Sequence, residues 1–203
     1  MNILITAGGT REYIDPVRFI SNASTGKMGY AVARAAIAAG HDVTLITAPV
    51  SIKPPKDADV IRVETAAQML EAVKSNFEKC DCLIMAAAVS DYTPVRQSKT
   101  KIKKNTTDLQ IQLKPTKDIL AWAGKNKKGR IVVGFALEDT NLKANAEKKL
   151  ENKRLDMIVA NSPAAVGADA STVYIKTPTG NWLELKDKNK NTAARKIIRL
   201  IGG

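Results

Sequence analysis

Apolar positions along the chain fall into two alternating kinds of segment. Short, mostly aliphatic runs recur at Asn2 to Thr6, Val43 to Thr47, Val60 to Val63, Cys82 to Ala88, Ile131 to Phe135 and Met157 to Ala160. Runs that are apolar throughout suit strands covered on both faces. Between them lie segments of helical period. Gly26 to Ala39 is rich in alanine at helical spacing, with Gly40 at the expected C-cap. Ala66 to Glu78 sets Ala67, Leu70, Val73 and Phe77 on one face, Asp118 to Gly124 reads as a short helix, and Leu142 to Leu155 is strongly basic. Strand and helix in regular alternation predict a parallel sheet with right-handed crossovers. The tail breaks the alternation: Thr172 to Ile175 and Trp182 to Leu185 flank Thr177-Pro178-Thr179-Gly180 as a hairpin, and an amphipathic helix follows over Thr192 to Ile201. The expected fold is α/β, Rossmann-like and doubly wound, a mainly parallel sheet with a C-terminal β-hairpin and helix, in one domain spanning 1–203.

Two segments lack either period. Pro49 to Pro55 is a loop, and Val89 to Thr107 is a longer polar one holding Pro94 and Lys101-Ile102-Lys103-Lys104; Leu109 to Leu113 then alternates like a strand. A loop of that length inside a domain is often ordered by a ligand.

Composition narrows the class of protein. Hydrophobic residues are 44% and charged residues 26% of the chain, and the longest apolar runs fall far short of the ~20 residues that span a bilayer. Membrane insertion is not expected. The amino terminus reads directly as a strand rather than a leader, and Cys80 and Cys82, one residue apart, are awkwardly spaced for a disulfide. A reducing, cytoplasmic setting is the expectation.

The net charge of +12 asks for an anionic partner. It is concentrated between Arg96 and Arg154, where sixteen basic residues stand against six acidic ones. Aromatics are only 4%, and none is interleaved with the lysines as a base-stacking surface requires. Nucleic acid is therefore not the expected partner, although the charge keeps that reading open.

Gly8-Gly9-Thr10 occupies the first βα loop, where a parallel sheet binds phosphates. The glycine array of a dinucleotide fingerprint is not completed, since Arg11 and Glu12 follow, and Thr25-Gly26-Lys27-Met28 lacks the glycine and hydroxyl of a P-loop. An NAD(P)-dependent oxidoreductase or a plain tight turn remains open on spacing alone. Arg18, Asn22, Ser24, Thr25 and Lys27 gather donors just before a helix, suited to a phosphate or a developing oxyanion. Asp91 follows Ala86-Ala87-Ala88, where a flat base could approach closely. His41 is the only histidine, and no Cys/His cluster offers a zinc site. What remains is chemistry by positioning and charge stabilisation.

Taken together, Thr6 to Glu12, Asp15 to Asn22, Ser24 to Gly29, Ala86 to Tyr92, Lys101 to Lys104, Lys114 to Leu120, Val133 to Ala136 and Asp156 to Asn161 closely resemble the phosphopantothenate–cysteine ligases, also called phosphopantothenoylcysteine synthetases. The resemblance covers nearly the whole chain, in order. It implies a ligase of coenzyme A synthesis: CTP activates 4′-phosphopantothenate as an acyl-cytidylate, and L-cysteine displaces CMP. Magnesium is implied with the triphosphate, with ligands unknown, and a homodimer is implied as well. Many bacterial members are fused behind a flavin-dependent decarboxylase; no such module precedes Met1, so FMN is not expected in this chain.

The same resemblance implies site residues. It places the triphosphate near Gly8, Gly9 and Thr10 with Ser24 beside them, and the base near Met85, Ala86, Ala87 and Phe135. Asp91, Lys117, Asp118, Ile119, Leu120, Lys149 and Lys153 match further nucleotide contacts. Asn22 matches the residue that handles the acyl-cytidylate, Arg18 supports it, and Lys101 matches a further nucleotide contact and begins the lid motif, within a lid loop over about 93–107. The lid motif and the Ser24 to Gly29 loop look bacterial and favour CTP over ATP; Ser90 and Thr116-Lys117 depart from the commonest local patterns.

Overall fold

A computed structural model describes residues 1–106 and 108–202. Thr107, the last residue of the expected lid and of the long loop, and Gly203, the last of the expected domain, lie outside the described residues.

The central sheet uses β1 (Asn2–Ala7), β4 (Asp42–Thr47), β5 (Ala58–Arg62), β6 (Cys82–Met85), β9 (Ile131–Leu137) and β10 (Met157–Asn161), all mutually parallel, with β11 (Ala170–Lys176) and β12 (Leu183–Asn189) added antiparallel at one edge. The order is β12-β11-β10-β9-β6-β1-β4-β5. From β1 the chain winds outward to β5 and then returns to lay β6 on the other side of β1. That reversal opens a crevice beyond the carboxyl ends of β1 and β6.

Side-chain alternation along β1 sends Ile3, Ile5 and Ala7 to one face and Leu4 to the other. The first face packs on α1 (Lys27–Ala38) and α5 (Lys190–Gly202). The second packs on α2 (Ala66–Phe77), α3 (Ile119–Asn126) and α4 (Leu142–Asn152). Local signals fix the ends: Thr65 and Gln68 form a reciprocal capping box at α2, and Asp118 caps α3 by accepting the Ala121 amide at 2.9 Å.

Four expectations are corrected. The strand read as Cys82 to Ala88 ends at Met85, because the alanines swing off the sheet: the Ala87 amide donates to Thr6 Oγ1, and Ala88 keeps only a bridge to Gly9. The polar stretch after Thr10 contains a hairpin, β2 (Arg11–Tyr13) with β3 (Phe19–Ser21). A second hairpin joins β7 (Tyr92–Pro94), inside the segment read as loop, to β8 (Leu113–Pro115), so pairing begins where the Leu109 to Leu113 alternation ends. Helix α4 stops at Asn152, since Arg154 turns into the left-handed region and the Leu155 amide returns to the Leu150 carbonyl.

Candidate active site

The crevice is built by hydrogen bonds between two loops. Ala88 donates its amide to the Gly8 carbonyl at 2.8 Å, and Thr10 donates to the Ala88 carbonyl at 3.2 Å. Thr10 Oγ1 accepts the Ser90 amide at 2.9 Å. Gly8 has a φ of +83°, and a Cβ there would lie 2.8 Å from the Ala48 carbonyl oxygen, so only glycine fits. A Cβ on Gly29 would meet that of Ala7 at 2.6 Å. This close approach seats the start of α1 directly over the end of β1.

The resulting cleft has a volume of about 770 Å³. One wall is Asn22 to Gly29, running into α1, and the floor is Met85 to Val89 beyond β6. Opposite stand Asp91, Thr116 to Leu120, Phe135 to Leu137, Lys149 of α4 and Lys153 at its C-cap. Ala165 to Gly167 and Lys190 close the far end. The structure thus brings together Asn22, Ser24, Met85, Ala86, Ala87, Asp91, Lys117, Asp118, Ile119, Leu120, Phe135, Lys149 and Lys153 on one cavity. Gly8, Gly9 and Thr10 are buried behind it, where the Thr10 side chain ties the two loops. Arg18 and Lys101 are exposed and do not line it.

The far wall is electropositive but internally paired. Lys149 donates to the Phe135 carbonyl at 2.7 Å. Its pKa is lowered, by burial first and then by Lys153, against the opposing pull of Glu138, Asp118 and Asp91. Lys153 pairs with Asp118 at 2.7 Å. Burial works to raise the Asp118 pKa, but Lys153 and the Ala121 amide outweigh it and hold the carboxyl below its usual range.

At the far end Lys27, the first residue of α1, reaches Asp169 at 2.8 Å and the Gly167 carbonyl at 3.4 Å. Lys190 donates to the Ala165 carbonyl at 3.1 Å, and its pKa is lowered by burial and then by Lys27. Sequence reasoning missed Lys190 and the loop it holds. No local signal marks them, because only the antiparallel edge of the sheet brings them to the cleft.

Asn22 sits at the cleft rim with its amide nitrogen 3.3 Å from the Ala88 carbonyl and 3.1 Å from that of Val89. Both of its N–H groups are thereby engaged, so donation to a substrate oxygen means exchanging one of these carbonyls. Arg18 instead grips Asp15 and donates to the Ile102 carbonyl, in the segment expected to form a lid.

The arrangement favours an anionic ligand held against α1 by amides and lysines, with an apolar floor for a flat group. Cys80 and Cys82 are buried, with the Cys80 thiol pushed up to about 11 by burial and that of Cys82 raised further, so neither is poised as a nucleophile. Among the described residues no group of three or more His, Cys, Asp or Glu side chains could hold a metal by itself.

A family model described as the DNA/pantothenate metabolism flavoprotein C-terminal domain matches residues 1–203. The Coenzyme A biosynthesis bifunctional protein CoaBC of Bacillus subtilis (strain 168) is 45% identical over 205 residues, covering 98% of this chain and 50% of that protein. A protein named Cysteine/Cysteine sulfinic acid decarboxylase, from an unknown prokaryotic organism, is 46% identical over 98% of this chain and 57% of its own length. The chain therefore spans about half the length of these curated relatives. The crystal structure of the C-terminal domain of a CoaBC protein superposes with a TM-score of 0.86 at 39% identity, covering 98% of this chain and 93% of that one. The shared fold, the near-complete coverage and the identity at this level establish that the chain belongs to the family of the DNA/pantothenate metabolism flavoprotein C-terminal domain, the family resemblance its motifs carried.

Proposed function

We propose that this chain is a CTP-dependent phosphopantothenate–cysteine ligase acting as one domain. The observation that carries the reading is the cleft at the β1/β6 reversal. It sets Lys149 and Lys153 across from the amides and polar side chains at the start of α1 and, among the described residues, carries no cysteine or histidine on its lining. Such a site suits a reaction in which both nucleophiles belong to the substrates. A carboxylate oxygen of 4′-phosphopantothenate attacks the α-phosphorus of CTP, the bond to the β-phosphate oxygen breaks, and pyrophosphate leaves. The amine of L-cysteine then attacks the acyl carbon of the acyl-cytidylate, the bond to the phosphate oxygen breaks, CMP leaves, and the amine proton is lost.

In this reading Met85, Ala86, Ala87 and Phe135 receive the base, and Lys149 and Lys153 take charge developing on the polyphosphate. Asn22 trades a carbonyl partner for the acyl oxygen, and Lys101 rides the lid that excludes water. Lys117 to Leu120 contribute the start of α3. Mg2+ ordinarily needs only one or two carboxylates beside substrate phosphates, and Asp91 offers an exposed one on the cleft. Bound there, the metal would shield triphosphate charge.

Val17, Phe19, Tyr92, Val95 and Leu113 expose large apolar side chains around the two small hairpins, and β2 packs on β7. A face of this kind supports a homodimer. The bifunctional relatives support a flavin decarboxylase as fused or separate partner, with no FMN held by this chain. Among the described residues no helix is long and apolar enough to cross a membrane; the proposed setting of the ligase is the cytoplasm.

Pyrophosphate release from CTP and from ATP, with and without each co-substrate, tests the reading. Release from CTP that requires 4′-phosphopantothenate but not L-cysteine is expected. Failure to form a nucleotidylate from either nucleotide would overturn it.

A further inference from the structure

Asp15 lies in the turn between β2 and β3 and is fully buried. Its Oδ1 accepts the amides of Val17 at 2.8 Å and Arg18 at 2.9 Å. Its Oδ2 accepts Arg18 Nε at 2.9 Å and the amide of Ile102 at 3.1 Å, with Arg18 Nη2 at 2.6 Å. Arg18 Nη2 also donates to the Ile102 carbonyl at 2.5 Å. Ile102 thus gives its amide to one member of an ion pair and its carbonyl to the other, although it lies more than eighty residues along the chain.

We propose that Asp15 is a positioning residue that makes the lid segment and Arg18 one mechanical unit. The inference rests on the ligase reading only for its kinetic consequence. Both carboxylate oxygens face donors alone, so an isosteric amide cannot serve in either orientation: its NH2 group would oppose the Arg18 guanidinium and the Ile102 amide, or the amides of Val17 and Arg18. Arg18 is equally specific, because a lysine cannot span a carboxylate and a carbonyl with a rigid fork. Holding Ile102 fixes Lys101, Lys103 and Lys104 on either side of it, and with them the lid's closure over an activated acyl group.

The test pairs Asp15→Asn with Ile102→Pro, which deletes the lid-side amide and leaves Asp15 intact. Limited trypsin digestion at Lys103 and Lys104 reads the clamp without reference to the reaction; the bond after Lys101 is left out, because trypsin does not cut before the proline of Ile102→Pro. Both variants should be cut about tenfold faster there, the factor for losing roughly one charge-assisted hydrogen bond. The ratio of pyrophosphate released to amide formed reads the lid. It should be near one for the wild type and rise several-fold in the variants as the acyl-cytidylate hydrolyses. If Asp15→Asn fails to fold, Ile102→Pro carries both measurements. Unchanged digestion at Lys103 and Lys104, or faster digestion with an unchanged ratio, overturns the proposal. A wild type that releases no pyrophosphate overturns the ligase reading instead, and the digestion still decides the clamp.

Discussion

Lys153, the C-cap of α4, places its Nζ 2.7 Å from Oδ2 of Asp118, the N-cap of α3. Each charge sits at the helix end that favours it, and the pair stands on the wall of the cleft. In the proposed ligase an arriving polyphosphate must compete with Asp118 for Lys153. Asp118→Asn keeps a capping oxygen for Ala121, so the thermal midpoint should hold to within about 1 kcal/mol of stability. Lys153→Ala should weaken CTP about ten- to a hundredfold, the range for a lost hydrogen bond to a charged group. Titration calorimetry and thermal melts on the two variants check this, and equal CTP affinity in wild type and Lys153→Ala would remove Lys153 from the site.

Lys149 is held at a depressed pKa by burial and by Lys153. The unfolded chain restores the ordinary value of ~10.4, so stability rises with pH between the native value and that one, and protonated Lys149 costs stability at neutral pH. Lys149→Met should therefore melt at or above the wild-type temperature while binding CTP at least about tenfold more weakly. Differential scanning calorimetry with nucleotide titration separates the two effects; a fall in both would mark Lys149 as structural.

Asn22 bridges the Ala88 and Val89 carbonyls through its amide nitrogen. Asn22→Asp replaces both donors by an acceptor and, in the proposed reaction, sets a negative charge where the acyl oxygen gains one. The cysteine step should slow by about 10²–10³, with acyl-cytidylate accumulating in rapid-quench samples. Slowing of the first step alone would assign Asn22 to activation instead.

Burial works to raise the Asp15 pKa, but the amides of Val17, Ile102 and Arg18 and the Arg18 guanidinium drive it well below the usual carboxylate range. With the native pKa depressed, the stability Asp15 contributes is fully present above its unfolded value of ~3.9 and is lost as pH falls below it towards the native value. Denaturant melts of wild type and Asp15→Asn should differ by a constant amount from pH 8 to about 5 and converge below about pH 4. Convergence near neutrality would place the linkage elsewhere; Arg18 is the charged side chain bonded to this carboxylate.

The strand runs that became β1, β4, β6, β9 and β10 were legible because strands covered on both faces are apolar at every position, and their helices because one face must match the sheet. Lys149 and Lys153 were legible as site residues only through the resemblance, whereas the alanines after β6 already read as a place for a flat group to approach; spacing alone left Gly8-Gly9 open to a dinucleotide or a plain turn. The hairpins β2–β3 and β7–β8 were not legible. Their strands are three residues long, and β7 finds its partner about twenty residues away, so no period can build up.

The sequence by itself determined the layered α/β architecture, the concentration of positive charge in the second half, and the family, because these reside in local period, composition and ordered motifs. Tertiary structure alone decided that Thr10 ties two loops rather than facing the cleft, that Lys190 closes the cleft's far end, and that Asp15 holds Ile102. Those contacts join residues dozens of positions apart, and their geometry exists only after strand order has folded the chain back across β1.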